Sequence, residues 1–393
     1  MASYGRLPHY TDSHVTLYNG DCIEVMKELP DNSVDAIVTD PPYGLGFLDK
    51  AWDALPPGLP WAQECIRVLK PGGHLLAFGG SRTWHRLSVA IEDAGFEIRD
   101  SIAWIYGSGF PKSLDVAAAI DRYLGAVREV TGKHSIGIGR GGTGLSGGFG
   151  NRRGEGADRK DQPVTDQAIA YQGWGSALKP AFEPIVVGRK PLSGSIAANV
   201  LRYGTGAMNI TGCRVPITET WDSTTKTPTV TATWGVDEPE LVATADDGRV
   251  TLGRWPANVL TDSTQLAELD RQSGLALAAE LRETLPDGRG IGASRYFPAF
   301  RYESKAPTLE RPRAGDLVHP TVKPLDLMRW LVRLVTQPGG VVLEPFAGSG
   351  TTAEACVIEG FRCIAIERET EYLPLIIARL SKPIALDLFG TEP

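Results

Sequence analysis

Two stretches near the ends of the chain alternate strand and helix signals, and this alternation limits the possible fold more than any other feature. Between 14 and 110, short apolar runs such as 34–39 and 74–78 end at proline or glycine, and segments with helical periodicity separate them. A turn is expected at 70–73, where Lys-Pro-Gly-Gly follows a helical segment. The stretch 316–385 repeats the alternation, with strands predicted at 341–343 and 361–367. This pattern predicts an α/β fold with a doubly wound, mainly parallel sheet.

The middle of the chain, 111–315, has a different composition. Residues 132–156 contain eleven glycines in 25 positions, a density that sustains neither a helix nor a strand interior. The flanking stretches together have the size of one doubly wound domain. We therefore expect 14–110 and 316–385 to be two parts of one domain, and 111–315 to be a large insertion. A strand predicted at 181–187 is the part of this insertion best suited to a domain core.

Cysteine and apolar content exclude several classes of protein. The chain has 393 residues and five cysteines, and no two cysteines form a CxxC pair. No HExxH motif is present, so we predict neither a disulfide framework nor a metal site. No run approaches the roughly 20 apolar residues that span a bilayer. The amino-terminal sequence has no apolar signal region, so we expect a cytoplasmic protein without a membrane partner.

The tetrapeptide Asp40-Pro41-Pro42-Tyr43 directly follows the strand predicted at 34–39. In an open α/β sheet, ligands bind at the carboxyl ends of the strands. The two prolines stiffen the loop and leave its carbonyl oxygens free to accept hydrogen bonds. Asp40 and the Pro41 carbonyl are suited to accept both hydrogens of a planar amine while Tyr43 stacks on its ring. For this motif alone, an ordinary turn with a buried tyrosine is the alternative.

A glycine turn connects the strand at 341–343 to a predicted helix. Its sequence is Glu344-Pro345-Phe346-Ala347-Gly348-Ser349-Gly350-Thr351-Thr352. Glycines let the backbone approach a ligand closely, and the helix N-terminus favours an anionic group. The turn is neither G-x-G-x-x-G nor a P-loop, which argues against NAD and ATP. Glu367 ends the next strand, about 20 residues on, where an acid that binds ribose hydroxyls is expected.

Two further loops carry polar side chains. The segment 319–324, His-Pro-Thr-Val-Lys-Pro, holds Thr321 and Lys323 in a proline-stiffened turn that suits a carboxylate. A plain helix N-cap is the alternative for this segment. The segment 19–22, Asn-Gly-Asp-Cys, follows a short predicted strand and offers the carboxylate of Asp21, with an Asx turn as its alternative.

Taken together, these motifs resemble those of the amino-methylating DNA methyltransferases that use S-adenosylmethionine. Asp-Pro-Pro-Tyr matches their catalytic motif, and Phe-Ala-Gly-Ser-Gly matches their cofactor motif. The order of motifs resembles that of the permuted β group, in which target recognition occupies the middle of the chain. The segment 174–191 is similar to phage and prophage methylases. The resemblance covers 14–110 and 316–382, and it implies a Rossmann-like methyltransferase sheet with an inserted target-recognition region in a bacterial or phage protein.

The resemblance also implies roles for individual residues. Asp40, Pro41, Pro42 and Tyr43 are the expected catalytic residues. The expected cofactor contacts are Asp21 and Cys22 near the adenine edge, Thr321 and Lys323 at the carboxylate, Glu344 at the amino group, Phe346 at the adenosine or in the core, Gly348, Ser349, Gly350 and Thr351 around the methionine, and Glu367 at the ribose.

The implied reaction methylates an exocyclic amine of a flipped-out base in double-stranded DNA. In this family Asp-Pro-Pro-Tyr usually accompanies N6 of adenine, and N4 of cytosine is the alternative. An RNA or protein-glutamine methylase usually carries Asn-Pro-Pro-Tyr, and a non-catalytic DNA-recognition partner would not need every motif intact. The sequence leaves open the recognition sequence, dimerisation and a partner restriction endonuclease.

The positive charge of the chain is concentrated in one segment. The net charge is −7, which excludes a bulk polyanion binder. Residues 128–190 nevertheless hold ten Lys/Arg against six Asp/Glu, so that the remainder carries the acidity. We expect the glycine-rich part of this segment to follow a DNA backbone. The basic residues expected to contact DNA are Arg140, Arg152, Arg153, Arg159 and Lys160.

Overall fold

The computed structural model describes residues 6–46, 53–107, 113–129, 132–133, 159–160, 162–215, 254–263, 266, 269–272, 293, 297–300, 319 and 321–382. The chain divides into two compact units. The main unit comprises Met1–Tyr43, Pro56–Gly107 and Phe182–Pro393, and the small unit comprises Gly44–Leu55 and Ser108–Ala181. No helix in the described ranges is long and apolar enough to cross a membrane.

The described helices and strands follow one another along the chain in three groups. The first part of the main unit contains β1 (Tyr10–Thr11), β2 (Val15–Asn19), α1 (Cys22–Lys27), β3 (Val34–Thr39), α2 (Leu59–Val68), β4 (Leu69–Phe78), α3 (Trp84–Asp93) and β5 (Glu97–Ile105). The small unit contains α4 (Val116–Tyr123), β6 (Gly132–Lys133), β7 (Arg159–Lys160) and α5 (Asp166–Ala170). The second part of the main unit contains β8 (Phe182–Arg189), α6 (Ile196–Tyr203), β9 (Val259–Asp262), β10 (Ala299–Phe300), α7 (Leu325–Val335), β11 (Val341–Glu344), α8 (Thr351–Ile358), β12 (Arg362–Glu367) and α9 (Leu373–Leu380).

The main unit is built on one ten-stranded sheet with the order β1-β2-β12-β11-β3-β4-β8-β5-β9-β10. The strands from β2 to β4 in this order are parallel neighbours, and β8 runs antiparallel to both β4 and β5. β3 is buried along its whole length, as expected of a parallel strand that is covered on both faces. This sheet confirms the predicted α/β, Rossmann-like fold.

Side chains that alternate along the strands form two cores, one on each face of the sheet. Ala36 and Val38 of β3 belong to the core that α7, α8 and α9 cover, whereas Ile37 belongs to the core beneath α1, α2 and α3. Trp61 of α2 and Leu331 of α7 are almost completely buried, one in each core. The alternation follows from the two-residue period of a strand, and it gives the doubly wound, three-layer arrangement that the sequence predicts.

The small unit contains a buried acid. The Asp121 carboxylate, in α4, accepts hydrogen bonds from the backbone N–H groups of Val164 and Thr165, from the Thr165 hydroxyl and from Arg128. Burial opposes the ionisation of this carboxyl, but the hydrogen bonds outweigh it and lower the pKa of Asp121. These contacts tie α4 to the start of α5, and the antiparallel pair of strands β6 and β7 is also part of this unit.

Most predicted elements are present, with differences where distant residues decide the structure. The strands at 34–39, 341–343 and 361–367 correspond to β3, β11 and β12. The turn expected at 70–73 is wrong, because β4 begins at Leu69 and passes through this segment with an irregularity opposite Val34 and Ala36. The strand predicted at 181–187 is β8, and it lies in the core of the main sheet. The middle segment 111–315 therefore contributes strands to the sheet as well.

Candidate active site

The sequence motifs converge at one edge of the sheet. β2, β12, β11 and β3 are consecutive parallel neighbours, so their carboxyl ends lie together. The motifs that begin at Asp40 and Glu344 follow β3 and β11, which are adjacent although their sequence positions are far apart. Asn19 and Glu367 end the next two strands. This arrangement is the ligand-binding edge of an open α/β sheet.

Asp40 and Tyr43 form the centre of a half-buried polar cluster. The Tyr43 hydroxyl lies 3.0 Å from Asp40 Oδ1 and 3.0 Å from Glu183 Oε2. Thr83 donates a hydrogen bond of 2.6 Å to the Tyr43 carbonyl, and Gly80 leaves room for the Tyr43 ring, since a Cβ there would lie 3.3 Å from it. Burial, followed by the two carboxylates, raises the pKa of Tyr43 well above its usual value. The phenol is therefore a neutral, fixed hydrogen-bonding group.

Lys323 completes this cluster. Its ammonium lies 2.9 Å from Asp40 Oδ2, 3.1 Å from Glu183 Oε2 and 3.0 Å from the Tyr43 hydroxyl. It also lies 4.7 Å from the centre of the Phe78 ring. Although burial by itself lowers the pKa of Lys323, the carboxylates of Asp40 and Glu183 raise it above its usual value. Two of its three N–H donors are directed at the catalytic motif and the third at Glu183. The expected contact of Lys323 with a cofactor carboxylate stays a prediction.

Glu183 is the member of this cluster that the sequence motifs do not include. It lies near the start of β8, where it is paired with Trp104 of β5. Because β8 is antiparallel to β4, its beginning lies at the same edge of the sheet as the carboxyl ends of the parallel strands. The adjoining Pro184 carbonyl accepts a hydrogen bond of 2.9 Å from the backbone of Gly79, just beyond β4. The predicted strand at 181–187 was the only signal in the sequence that could have placed Glu183 here.

The glycine turn lies between β11 and α8 and is joined to the end of β12. Gly348 and Gly350 have φ angles of 53° and 79°, in the left-handed region that favours glycine. The Gly348 N–H donates a hydrogen bond of 2.7 Å to Glu367 Oε2, and the Glu369 N–H donates one of 2.7 Å to Glu367 Oε1. Burial raises the pKa of Glu367 to about 7. Two predicted cofactor contacts, the turn and the acid, are therefore in direct contact.

Glu344 faces into the protein. Its carboxylate accepts hydrogen bonds from the hydroxyls of Thr39 and Thr352, each 2.5 Å long, and from the backbone N–H of Phe346, 3.0 Å long. Burial raises the pKa of Glu344 to about 8. These contacts bind the ends of β3 and β11 to the first turn of α8. The acid thus bonds to three donors inside the fold, and its expected contact with the amino group of a cofactor stays a prediction.

Asp21 and Cys22 lie where β2 leads into α1. Asp21 is the N-cap of this helix and accepts hydrogen bonds from the N–H groups of Ile23 and Glu24. Asn19 donates hydrogen bonds to the carbonyls of Glu367 and Arg368, which brings the segment against the end of β12. Burial raises the pKa of Cys22 to about 12. The bond from Ile23 fits the Asx turn given as the alternative, and Asp21 also caps α1, while its cofactor contact stays a prediction.

The other predicted cofactor residues lie around the glycine turn. Phe346 is half-buried and packs on Trp61 with 5.9 Å between ring centres, which fits the core alternative. Ser349 and Thr351 are buried, and their hydroxyl oxygens lie 3.0 Å apart. Thr321 is placed beside His319, because the His319 ring is hydrogen-bonded to the Thr321 carbonyl.

His319 is a second residue that the motif analysis did not single out. Its ring packs edge-on against Tyr372, with 4.5 Å between ring centres. A Cβ placed on Gly348 would lie 3.3 Å from two atoms of this ring, so His319 covers the glycine turn. Burial lowers the pKa of His319 to about 4, which keeps the ring neutral at physiological pH. His319 therefore lies at the glycine turn, and Lys323 lies at the catalytic motif.

The predicted DNA contacts lie mostly outside the described residues. This is true of Arg140, Arg152 and Arg153, whereas Arg159 and Lys160 are described only as the backbone of β7. Three other basic residues of 128–190 have structural partners. Arg128 pairs with Asp121, Arg189 pairs with Glu97, and Lys190 bonds to the carbonyl of Leu69. The positive charge available to a ligand is therefore smaller than the composition of this segment indicates.

A comparison with family models decides the relationship of this chain. The model N6_N4_Mtase, described as DNA methylase, matches residues 34–131 and 168–378. The chain belongs to this family. It is therefore a DNA methyltransferase of the N6/N4 type, and S-adenosylmethionine is its methyl donor. Both the catalytic motif and the glycine turn fall within the matched residues.

Individual relatives carry the same kind of name. The Type II methyltransferase M.HindIII of Haemophilus influenzae is 23% identical over 411 residues, an alignment that covers 93% of this chain and 94% of that protein. M.BamHI of Bacillus amyloliquefaciens is 42% identical over 86 residues, covering 18% of this chain and 19% of the relative. M.HpaI of Haemophilus parainfluenzae is 34% identical over 104 residues, covering 24% and 32%. The chain is thus similar to M.HindIII over nearly its full length.

Solved structures of methyltransferases also match, at low scores. The M1.HpyAVI–SAM complex has a TM-score of 0.42 at 18% identity, and the match covers 94% of this chain and 100% of that chain. The PvuII DNA methyltransferase, described as cytosine-N4-specific, has a TM-score of 0.46 at 16% identity, with 99% and 92% covered. At these scores the likeness carries no argument about the base that this chain modifies.

Proposed function

We propose that this DNA methyltransferase transfers a methyl group to N6 of adenine in double-stranded DNA. The observation that carries the proposal is the position of Asp40 at the end of β3, adjacent to the strand that leads into the glycine turn. A base amine at Asp40 and a methyl donor at the glycine turn would be neighbours at one edge of the sheet. In the family that the motifs resemble, Asp-Pro-Pro-Tyr usually accompanies adenine. N4 of cytosine is the second candidate, because it presents the same kind of amine.

The residues around the glycine turn fit S-adenosylmethionine. Glu367 is a buried carboxylate to which the described residues donate two backbone hydrogen bonds, one to each oxygen. Each oxygen can accept a further hydrogen bond, which matches the two hydroxyls of a ribose. The left-handed glycines leave the backbone at Gly348 and Gly350 bare, so a ligand can approach it. We propose Glu367, the turn 348–351 and the Asp21–Cys22 corner as the cofactor contacts, with Thr321 and Phe346 beside them.

The bound cofactor supplies an electrophilic methyl group on a sulfonium. The chain must bring a poorly nucleophilic amine to it, and this requires the base to leave the duplex, at a cost of a few kcal/mol. Asp40 and the Pro41 carbonyl would accept the two amino hydrogens and localise the nitrogen lone pair. Pro42 keeps this loop stiff, and alignment of the two reactants supplies much of the rate. No covalent enzyme intermediate is needed, and the buried, protonated thiol of Cys22 does not supply one.

The division of the chain suggests where DNA is recognised. We propose that 111–315 supplies target recognition, with the glycine-rich part at 132–156 following the backbone through Arg140, Arg152, Arg153, Arg159 and Lys160. The strand β8 is the exception in this range, because it belongs to the main sheet. Relatives of this chain are named Type II methyltransferases, so we propose a partner restriction endonuclease as an expectation to test. A homodimer is a second expectation to test.

Replacement of Asp40 tests the proposal. Asp40→Ala should abolish methyl transfer to unmethylated DNA, while the affinity for S-adenosylmethionine changes less than about threefold, because the cofactor contacts lie at other residues. Asp326→Ala is the matched control, since Asp326 is an exposed acid in the first turn of α7 and pairs only loosely with Arg329, at 3.5 Å. Isothermal titration with the cofactor and transfer of a labelled methyl group measure the two effects. Transfer at the control rate by Asp40→Ala contradicts the proposal.

A further inference from the structure

Glu183 has no part in the chemistry described above, yet its carboxylate lies inside the catalytic cluster. Glu183 belongs to β8, a strand of the segment expected to recognise DNA. The pairing of β8 with β4 and β5 fixes its position in the main sheet. Its Oε2 atom lies 3.0 Å from the Tyr43 hydroxyl and 3.1 Å from the Lys323 ammonium. A half-buried acid beside the catalytic motif needs an explanation, because removing a charge from water without a partner is costly.

The hydrogen bonds of the cluster leave little freedom to its members. An ammonium has three donors, and Lys323 has three acceptors within 3.1 Å: Asp40, Glu183 and Tyr43. The Tyr43 oxygen accepts from Lys323, and its single proton is directed to one of the two carboxylates. The Lys323 ammonium is therefore held in one position by two acids and a phenol. Its position depends on both acids.

The charges explain why both acids are present. Asp40 and Glu183 lie 3.0 Å from the same phenol oxygen, so two negative charges lie close together in a half-buried site. The ammonium between them offsets their repulsion. Without the charge of Glu183, Asp40 would be the one carboxylate left beside Lys323 in the cluster, and the lysine would be drawn towards the acceptor that the target amine needs. Glu183 thus accepts one of the hydrogen bonds of Lys323, and Asp40 keeps a free position with which to accept a hydrogen bond from the target amine.

We propose that Glu183 is a positioning residue for methyl transfer, which acts through Lys323 to keep Asp40 available to the target amine. The proposal rests on the proposed function and deepens it, because it assigns a part of the active site to the strand β8. It also gives Lys323 a role in holding the catalytic carboxylate.

The test uses Glu183→Gln, which keeps the shape of the side chain and removes its charge. We expect the single-turnover rate of methyl transfer to fall by about 10²-fold, the typical loss when a reacting group is displaced, while the affinity for S-adenosylmethionine stays within about twofold. Glu183→Asp retains the charge and should recover part of this loss. Glu97→Gln is the matched control, because Glu97 pairs with Arg189 at the other end of β8 and should leave the rate unchanged.

A double variant separates positioning from simple loss of packing. Lys323→Met should lower the rate, and Glu183→Gln combined with Lys323→Met should lower it no further, because Glu183 acts through the lysine. Multiplicative losses in the double variant, or a Glu183→Gln rate equal to that of Glu97→Gln, overturn the inference. Equal rates for Glu183→Gln and Glu183→Asp overturn it as well. If the unaltered protein and Glu97→Gln transfer no label to DNA, the proposed function itself fails.

Discussion

Replacing Gly350 by alanine should disrupt the cofactor turn and lower the free energy of unfolding. The loss has two parts, one from the backbone conformation and one from a steric conflict. Gly350 is the N-cap of α8 and has a φ angle of 79°. A Cβ at this position would lie 3.0 Å from Ile376 Cγ2 and 3.3 Å from Ile376 Cα, in the helix α9 that packs against the turn. The close backbone atom cannot move without displacing α9, so the substitution adds a steric conflict to the cost of the backbone conformation.

A matched glycine at the other end of the same helix isolates the backbone cost. Gly360 follows α8 and has a φ angle of 75°, and a Cβ there would meet nothing within 4 Å. Gly360→Ala should therefore cost only the left-handed conformation, about 1–2 kcal/mol. Gly350→Ala should cost this plus about 1–3 kcal/mol for overpacking, or about 2–5 kcal/mol in total. The difference between the two variants measures the contact with Ile376.

Urea unfolding of the two variants, together with cofactor titration, tests this reasoning. We expect Gly350→Ala to have the lower unfolding midpoint and to bind S-adenosylmethionine at least about tenfold more weakly, which corresponds to 1.4 kcal/mol. Gly360→Ala should bind the cofactor with unchanged affinity, because it lies beyond the far end of α8. Equal loss of stability in the two variants would show that the approach of α9 does not constrain the turn. Unchanged cofactor binding by a destabilised Gly350→Ala would remove the turn from the cofactor site.

Three further substitutions test the buried acids and the thiol. Cys22→Ser should retain most methyl transfer in the labelled-DNA assay, because burial raises the pKa of Cys22 to about 12 and leaves no thiolate to lose; activity reduced to background would assign the thiol a chemical role. Since the pKa of Glu344 rises from 4.5 to about 8 on folding, stability from its protonated form is present at pH 4.5 and is lost as pH approaches 8. Glu344→Gln should flatten this decline in urea midpoints measured between pH 5 and 8, and an unaltered slope would refute the assignment. Glu354→Gln removes one carboxylate partner of Arg379, whose side chain is completely buried, and should cost about 1.5–3 kcal/mol in thermal or urea unfolding; a loss below about 0.5 kcal/mol contradicts it.

The sequence predicts well those parts of the fold that local residues determine. The run at 34–39 is apolar, β-branched and followed by two prolines, so its identity as a buried strand depends on nothing distant. The turn at 70–73 could not be excluded in this way. In the structure the Pro71 carbonyl accepts hydrogen bonds from Asn199 and Thr205, which hold this segment extended from more than a hundred positions away. Contacts of that range leave no local pattern.

In the candidate site, too, the sequence predicts the residues that local patterns place and misses those that distant contacts place. Asp40, the glycine turn and Glu367 are recognisable because each follows a predicted strand, and the carboxyl ends of parallel strands meet. Glu183 and His319 lack such a signal. The position of Glu183 depends on the antiparallel pairing of β8 with β4, and no feature of the sequence near Glu183 predicts this pairing. The role of Lys323 could not be inferred for the same reason, since the partners that fix its ammonium lie on two segments far apart in the chain.

The central claim is that Asp40 presents the N6 amine of adenine to the methyl donor, and analysis of the modified nucleosides tests it most directly. Unmethylated genomic DNA is incubated with the protein and labelled S-adenosylmethionine, digested to nucleosides and separated by mass spectrometry. We predict label in N6-methyladenine, and its absence with Asp40→Ala. Label in N4-methylcytosine would contradict the choice of base, and label in 5-methylcytosine, or none in DNA, would contradict the amine mechanism itself.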